Sequence, residues 1–416
     1  MSNPWFQLVC SLIAMVMIAN LQYAWTLFVE PIREASQWQL SDIQFAFSLF
    51  IFLQTFVQPL DGWFIDRVGP RRFITVAGIL CGLGWSAMGY ATSLPQLYLF
   101  YALAGVGAAF VYSASIGSAL KWFPARRGFA SGVIAAGFGG GSALFNVIIQ
   151  RLLIPEYGYR TAFLWTGVIQ GLVITIVAQF LRHPGPGFVA PKPAAAAAAT
   201  ASRRNTDHFT PREMLRTAQF YVLYGMFVAV ACGGLFLTAN QASLARSWGM
   251  TSALTAVVFL GPLANGASRI FWGWFSDRRG RENTLVIAFL LQAACLVSVA
   301  VAGPASTVLF TITLVLVFFT WGEIYSLFPS TLGDYFGSKY ATGNYGLLYT
   351  AKGVAAYLGA YLGTRVLEAS GSWTIVFYAT AAITLLAALT ALALRSAPLP
   401  KKVAASHLAS ASGAAR

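Results

Sequence analysis

The 416-residue sequence has little charge. Only 10% of its residues are Asp, Glu, Lys or Arg, whereas about 25% is usual in soluble proteins. Acidic residues are the scarcest, with 13 Asp and Glu against 27 Lys and Arg and a formal net charge of +14. A nucleic-acid surface would need these cations clustered on one wet face, but apolar blocks separate them. With 57% hydrophobic residues, the composition excludes an ordinary soluble domain and indicates a membrane protein with no nucleic-acid partner.

Cysteine and histidine are also rare. The four cysteines show no CxxC spacing, so they predict neither a disulfide framework nor a zinc site. The three histidines lie outside the apolar segments, and no carboxylate pair or nucleophile triad accompanies them. We therefore expect no metal, no cofactor and no enzyme activity.

Long apolar runs are what the sequence has in abundance. Each is long enough to cross a bilayer, which takes about 20 helical residues. The first has no basic cluster before it and no small-residue cleavage site after it, so we expect a retained helix rather than a signal peptide. The twelve runs lie at about 5–29, 42–64, 73–92, 95–120, 128–150, 161–181, 219–242, 252–275, 284–302, 306–328, 341–366 and 373–395. An all-α protein with twelve transmembrane helices is predicted.

A polar stretch divides these runs into two sets of six. It is rich in proline and alanine and is typical of a flexible linker. Near its end, Thr210 and Glu213 have capping-box spacing and Pro211 stands at the first helical position, which predicts a short helix. The predicted organisation is an N-terminal six-helix half at 1–181, a cytoplasmic linker at 182–218, a C-terminal half at 219–395 and a cytoplasmic tail at 396–416.

The distribution of cations predicts the orientation. Most of the 27 Lys and Arg residues fall in the loops and tail on the side of the chain termini. The positive-inside rule therefore places both termini in the cytoplasm of a multi-pass inner-membrane protein. Arg269 and Lys352 are not explained in this way, because each lies within an apolar run.

A sequence motif recurs in the two halves. GWFIDRVG, beginning at Gly62, returns as GWFSDRRG, beginning at Gly273, each time between the second and third helix of its half. Its acidic residues can pair with nearby arginines in one conformation and release them in another. The predicted gate residues are Gly62, Asp66, Arg67 and Arg71 in the first copy and Gly273, Asp277, Arg278 and Arg281 in the second.

Arg269 and Lys352 are the candidate binding residues. A cation near the bilayer centre costs about 2.5–3.5 kcal/mol on insertion scales, so it is expected to face a cavity and to have a partner, and few protein partners are available. On helices, Tyr349 shares a face with Lys352, and Asn265 shares a face with Arg269. A guanidinium fork, an ammonium and phenol donors together suit a carboxylate.

Glu323 is the one acid well inside an apolar run of the second half. On a continuous helix it would point about 200° away from Trp321, and so away from a pocket that Trp321 and Tyr325 line. A structural pairing and a proton-carrying role both remain open. In the fifth run, a separate glycine surface is expected to let helices pack closely; it consists of Gly132, Gly137, Gly139, Gly140 and Gly141.

The repeated motif resembles that of the major facilitator superfamily, and the chain resembles its oxalate/formate antiporter family in particular. The resemblance rests on stretches such as NLQYAWTLF at 20–28, NGASRIFWGWFSD at 265–277 and NYGLLYTAKG at 344–353. It implies two six-helix halves that hold a small carboxylate between an arginine at Arg269 and a lysine at Lys352. The other site residues expected here are Gln22, Tyr23, Gln44, Tyr112, Trp321, Tyr325 and Tyr349.

Two residues depart from the family pattern: Phe138 stands where a pocket tyrosine is expected, and Glu323 replaces a glycine. The function implied is secondary active transport by alternating access, in the form of oxalate/formate-type anion exchange by a monomer in the lipid bilayer. The alternative is a proton-coupled symporter of a monocarboxylate (lactate, pyruvate or formate), with Glu323 as the titrating group.

Overall fold

The computed structural model describes residues 3–123, 127–185, 205–337 and 339–402, without the side chains of 62–64, 66–67 and 127–128. Every regular element in these ranges is helical. Short 3-10 turns occupy Thr251–Ala253 and Gly303–Ala305, and π-helical turns occupy Ile149–Leu153 and Tyr357–Leu362. The α-helices are Pro4–Tyr23, Trp25–Ser36, Leu40–Phe56, Gln58–Val68, Pro70–Met88, Leu94–Trp122, Arg127–Gly140, Ala143–Ile148, Ile154–Ala178, Pro211–Met214, Ala218–Ser247, Leu254–Arg279, Arg281–Ala302, Thr307–Trp321, Ile324–Phe336, Ala341–Ala356, Gly363–Ser370 and Trp373–Ser396.

The helices form twelve membrane spans, as predicted. Nine helical stretches of the described chain are long and apolar enough to cross a membrane. One of them, Phe129–Ala178, has 50 residues and would reach about 75 Å if straight. It holds two spans, because Gly158 interrupts it at φ 77°. Pro70–Met88 and the helices of 341–370 supply the remaining two.

We number the spans 1 to 12 in chain order. They are Pro4–Ser36, 40–68, Pro70–Met88, Leu94–Trp122, 127–157, 159–178, Ala218–Ser247, Leu254–Arg279, Arg281–Ala302, Thr307–Phe336, 341–370 and Trp373–Ser396. Spans 1–6 form the first half and spans 7–12 the second. The side of the bundle at which span 1 begins and span 12 ends is called the terminal face, and the other side the opposite face.

The distribution of side chains between core and surface is that of a protein in lipid. Leu99, Ile270 and Val308 are each 64% exposed on the outside of the bundle. Gln44 and Asn265, by contrast, are 0% exposed inside it. Since lipid tails are as apolar as leucine, the outer surface loses nothing by being apolar, and the polar groups gather where they find partners.

Spans 5 and 8 join the two halves through glycines. A Cβ atom on Gly139 would lie 2.8 Å from the Cα of Gly266 and 3.1 Å from Nε of Arg269. Only a residue without a side chain allows this approach, which brings the Arg269 guanidinium to the backbone of span 5. The expected packing role of the glycine surface is confirmed here, whereas Gly132 has open space around it.

The end of the linker docks on the second half. Thr210 and Glu213 form the predicted capping box at the start of Pro211–Met214, and the backbone N–H of Thr210 holds the pKa of Glu213 below its ordinary value. The Asn205 N–H donates to the carbonyl of Asp334 at 2.8 Å, and the Phe209 N–H donates to that of Phe336 at 2.9 Å. The linker residues 186–204 lie outside the described ranges, so the predicted flexible stretch stays a prediction.

The second copy of the repeated motif forms an ion-pair network at the terminal face. The Arg281 guanidinium lies 2.8 Å from Asp277 of span 8 and 3.1 Å from Asp334 of span 10. Arg278 stacks over the Trp274 ring at 4.3 Å, and Gly273 faces Ser326. In the first copy, Arg71 donates to Gln179 at 2.8 Å. The side chains of the predicted gate residues Gly62, Asp66 and Arg67 are not among those that the structure describes.

The two partners of Arg281 differ in burial, and this difference predicts unequal effects on stability. We expect Asp334→Asn to lower the free energy of unfolding by about 1–3 kcal/mol, because its carboxylate is 12% exposed and pairs with a buried guanidinium. Asp277→Asn is the matched control. Its carboxylate is 63% exposed, and an exposed ion pair contributes at most about 1 kcal/mol. Thermal melting of the two detergent-solubilised variants measures this; equal shifts would contradict the assignment.

Candidate functional site

Lys352 of span 11 lies at the interface of the two halves and is 0% exposed. Its Nζ donates to Oε1 of Gln22 at 2.8 Å and to Oε1 of Gln54 at 2.9 Å, both in the first half. A third contact reaches the Tyr349 hydroxyl at 3.4 Å. Neutral amide oxygens thus compensate for part of the cost of burying the ammonium.

Arg269 of span 8 is 4% exposed and also bonds across the interface. Its Nη1 donates to the carbonyl of Ala135 in span 5 at 2.7 Å, and its Nη2 donates to Oδ1 of Asn265 at 3.0 Å. The same Oδ1 accepts a hydrogen bond from the Tyr23 hydroxyl at 3.2 Å. The shared face of Asn265 and Arg269 is thereby confirmed, and Asn265 links the guanidinium to span 1.

Two aromatic rings lie beside both cations. The guanidinium carbon of Arg269 is 4.2 Å from the Tyr325 ring centroid and 5.8 Å from that of Phe138. The Lys352 ammonium lies 5.8 Å and 5.3 Å from the same two rings. Separations of about 6 Å or less are in the range of cation–π attraction. The structure therefore brings the two cations to one place, although they are 83 residues apart in the sequence.

Several buried donors around the cations have no hydrogen-bond partner among the described residues. They include Nε of Arg269, Nε1 of Trp321, the hydroxyls of Tyr325 and Tyr345, and the amide nitrogens of Gln22 and Gln54. Leaving such a group unpaired costs about 1–3 kcal/mol. Each of these groups can donate a hydrogen bond, so the arrangement suits a ligand that presents several acceptor oxygens and a negative charge.

Other predicted site residues are part of the same cluster. The Tyr112 ring stacks on the Tyr349 ring at 5.5 Å, and the Trp321 ring lies 5.8 Å from the Tyr325 ring. The Tyr325 ring in turn lies 6.2 Å from the Tyr349 ring, so the aromatic contacts connect spans 4, 10 and 11. Tyr23 and Gln22 belong to the same cluster through their hydrogen bonds. Of the predicted site residues, one lies away from the cluster.

That residue is Gln44, which lies nearer the opposite face. Its Nε2 donates to the carbonyl of Ala239 at 2.9 Å and to Asn240 at 3.1 Å, and its Oε1 accepts from the Trp25 indole at 2.9 Å. Ten residues separate it from Gln54 in span 2, which is about 15 Å along a helix. The structure therefore does not bring Gln44 to the two cations, and its role in binding stays a prediction.

Glu323 lies at an interruption of span 10. One helix ends at Trp321 and the next begins at Ile324, but Gly322 (φ −65°, ψ −16°) and Glu323 (φ −60°, ψ −31°) keep helical dihedrals, so the expected direction of Glu323 away from Trp321 stays a prediction. The Glu323 side chain is 0% exposed, and no other side chain of the described residues hydrogen-bonds to its carboxylate oxygens. A structural pairing with a side chain of a neighbouring helix is therefore not seen in that part of the chain.

Gln54 was not predicted from the sequence. Polar groups inside a membrane need partners, and this rule applies to a glutamine amide at mid-span as well as to the charged residues for which it was used. Gln22 was predicted as a site residue and Asn265 as a neighbour of Arg269, but neither was predicted as a hydrogen-bond acceptor for a cation. The carbonyl of Ala135 has no sequence signal of its own, because its availability depends on the close approach at Gly139.

Comparisons with known proteins agree with this architecture. The family model of the Major Facilitator Superfamily matches residues 10–360. The oxalate:formate antiporter of Oxalobacter formigenes is 39% identical over 383 residues, which cover 92% of this chain and 89% of that protein. Apicoplast pyruvate carrier 1 of Toxoplasma gondii is 27% identical over 377 residues, and human monocarboxylate transporter 14 is 30% identical over 141 residues, or 34% of this chain. The chain is a multi-pass membrane protein of the Major Facilitator Superfamily and belongs to the family of the oxalate:formate antiporter.

Proposed function

We propose that this protein exchanges small carboxylates across the bacterial inner membrane by alternating access, with oxalate and formate as the substrate pair. The carrier acts as a monomer with both termini in the cytoplasm and performs no chemical step. The observation that carries the proposal is the cluster of two buried cations beside the same two rings, with several buried donors around them that have no partner among the described residues. The name of the Oxalobacter formigenes relative supports the choice of substrates.

The two cations offer different contacts to a carboxylate. The guanidinium of Arg269 still has its Nε free among the described residues, and its planar fork suits a carboxylate oxygen. Lys352 contributes a point charge whose three N–H bonds can rotate toward an anion. A dianion such as oxalate engages both charges at once, whereas formate engages them with one carboxylate. One site thus serves both members of the exchange pair.

Removing either charge tests this proposal. We expect Lys352→Gln and Arg269→Gln each to reduce oxalate exchange into formate-loaded proteoliposomes at least about hundredfold, since each removes a buried charge-assisted contact. Arg365→Gln is the control, because Arg365 is an exposed cation at the opposite face and is expected to keep exchange within about twofold. Monodisperse size-exclusion profiles establish folding. Full exchange by Lys352→Gln or by Arg269→Gln would contradict the assignment of the binding site.

Proton-coupled symport of a monocarboxylate is a second candidate, favoured by Glu323. A fully buried carboxylate without a side-chain partner among the described residues is costly when charged. It is therefore suited to carry a proton together with an anion. The name of the Toxoplasma gondii relative, a pyruvate carrier, supports this candidate.

A pH gradient separates the two candidates. If the protein is an exchanger, wild type and Glu323→Gln both take up oxalate against internal formate with equal inner and outer pH. If it is a symporter, wild-type uptake of pyruvate requires an inward proton gradient, and Glu323→Gln loses this dependence. Gln292→Leu, which alters another buried polar side chain of the second half, controls for the loss of a buried polar group.

A further inference from the structure

All three N–H donors of the Lys352 ammonium are directed at protein atoms. The acceptors are the amide oxygens of Gln22 and Gln54, at 2.8 and 2.9 Å from Nζ, and the Tyr349 hydroxyl, at 3.4 Å. An anion that binds Lys352 must displace at least one of these contacts. The glutamines are therefore competitors for the same cation.

The bonds from Lys352 to the glutamines join the two halves. Arg269 and Tyr23 also bond across the interface near this point, and a further group of hydrogen bonds between the halves lies on the side of the opposite face. The Ser243 hydroxyl donates to Glu30 at 2.6 Å, the Ser41 N–H donates to Glu368 at 3.0 Å, and Arg151 donates to Thr255 at 2.8 Å. The two halves are therefore closed against each other at the opposite face. In this closed arrangement, the hydrogen bonds of Lys352 to the first half all go to protein acceptors.

Gln54 is held at this distance by tight packing. A Cβ atom on Gly353 would lie 2.5 Å from the Thr55 hydroxyl and 3.1 Å from the Cα of Phe52. Glycine next to Lys352 thus lets span 11 approach the segment of span 2 that carries Gln54. The Gln54 side chain itself is 0% exposed, so its bond to the ammonium is shielded from bulk solvent.

We propose that Gln54 is a positioning residue that binds Lys352 when no anion is bound, and that it thereby allows the substrate-free carrier to close and return. This inference rests on the proposed exchange function. A carboxylate binds an ammonium more strongly than a neutral amide does, so the substrate displaces Gln54. Without a substitute acceptor, closure would bury the ammonium with an unmade hydrogen bond. Gln54 therefore sets how much net flux accompanies exchange.

The variant Gln54→Leu tests the proposal in proteoliposomes. We expect net efflux of labelled oxalate into anion-free medium to slow about tenfold, the effect of losing one hydrogen bond to a charged group. The maximal rate of oxalate exchange stays within about twofold of wild type. The KM for exchange falls, because the anion no longer competes with the amide. General damage to the fold would lower both rates, and loss of a substrate contact would raise KM.

Gln170→Leu is the matched control. Gln170 is 1% exposed in span 6, and neither of its amide atoms has a partner among the described residues. We expect it to leave the ratio of net efflux to exchange unchanged. An unchanged ratio in Gln54→Leu, or a raised KM, would overturn the proposal.

A second measurement needs no substrate. Spin labels at Tyr90 and Ala305, which are exposed on the opposite face of different halves, report the separation of the halves by pulsed electron resonance in a background without native cysteine. In anion-free buffer, we expect Gln54→Leu to shift the distance distribution toward longer separations than in the protein with the native Gln54. We expect Gln170→Leu to leave the distribution unchanged. An unchanged distribution overturns the role of Gln54. Absence of oxalate exchange in the wild type would instead overturn the proposed function.

Discussion

The burial of two cations in the membrane interior is the constraint on which the rest of this structure depends. Arg269 and Lys352 are 4% and 0% exposed, and an uncompensated charge at such depth costs several kcal/mol. Both belong to the second half, whereas the backbone carbonyl and glutamine oxygens that approach them across the interface belong to the first. Close helix contact at Gly139 and Gly353 makes these approaches possible. The interface is therefore held at its centre by unequal partners, positive on one side and neutral on the other.

Neutral acceptors alter the interpretation that charge alone suggests. From the sequence, the two cations have few protein partners. If the two halves closed around them without a substrate, the cations would be buried unpaired. In the structure, Lys352 donates three hydrogen bonds to protein atoms and Arg269 donates two. The cost of closure is thus reduced but not removed, since neutral acceptors are weaker than a carboxylate.

What the sequence could predict were features with a fixed period or a scarce residue type. Twelve apolar runs, the capping box at Thr210 and Glu213 and the shared face of Asn265 and Arg269 follow from helical geometry. Features that depend on tertiary contact were not accessible. The position of Gln44, about 15 Å from Gln54 along its helix, depends on register between spans. The orientation of Glu323 stays a prediction, because a break between two helices at residues 322–323 has no clear signal in the sequence.

The two cations have different freedom to change partners. Arg269 is fixed by Ala135 and Asn265 through its two terminal nitrogens, yet its Nε has no partner in the described chain. It can accept an anion while it keeps its existing bonds. All three donors of Lys352 already have protein acceptors, so it must exchange one of them. In the proposed site, Arg269 therefore provides a fixed point of contact, and Lys352 is the group whose change of partner distinguishes the substrate-bound interface from the substrate-free one. Since its amide partners lie in the first half, that change acts directly on the contact that moves during alternating access.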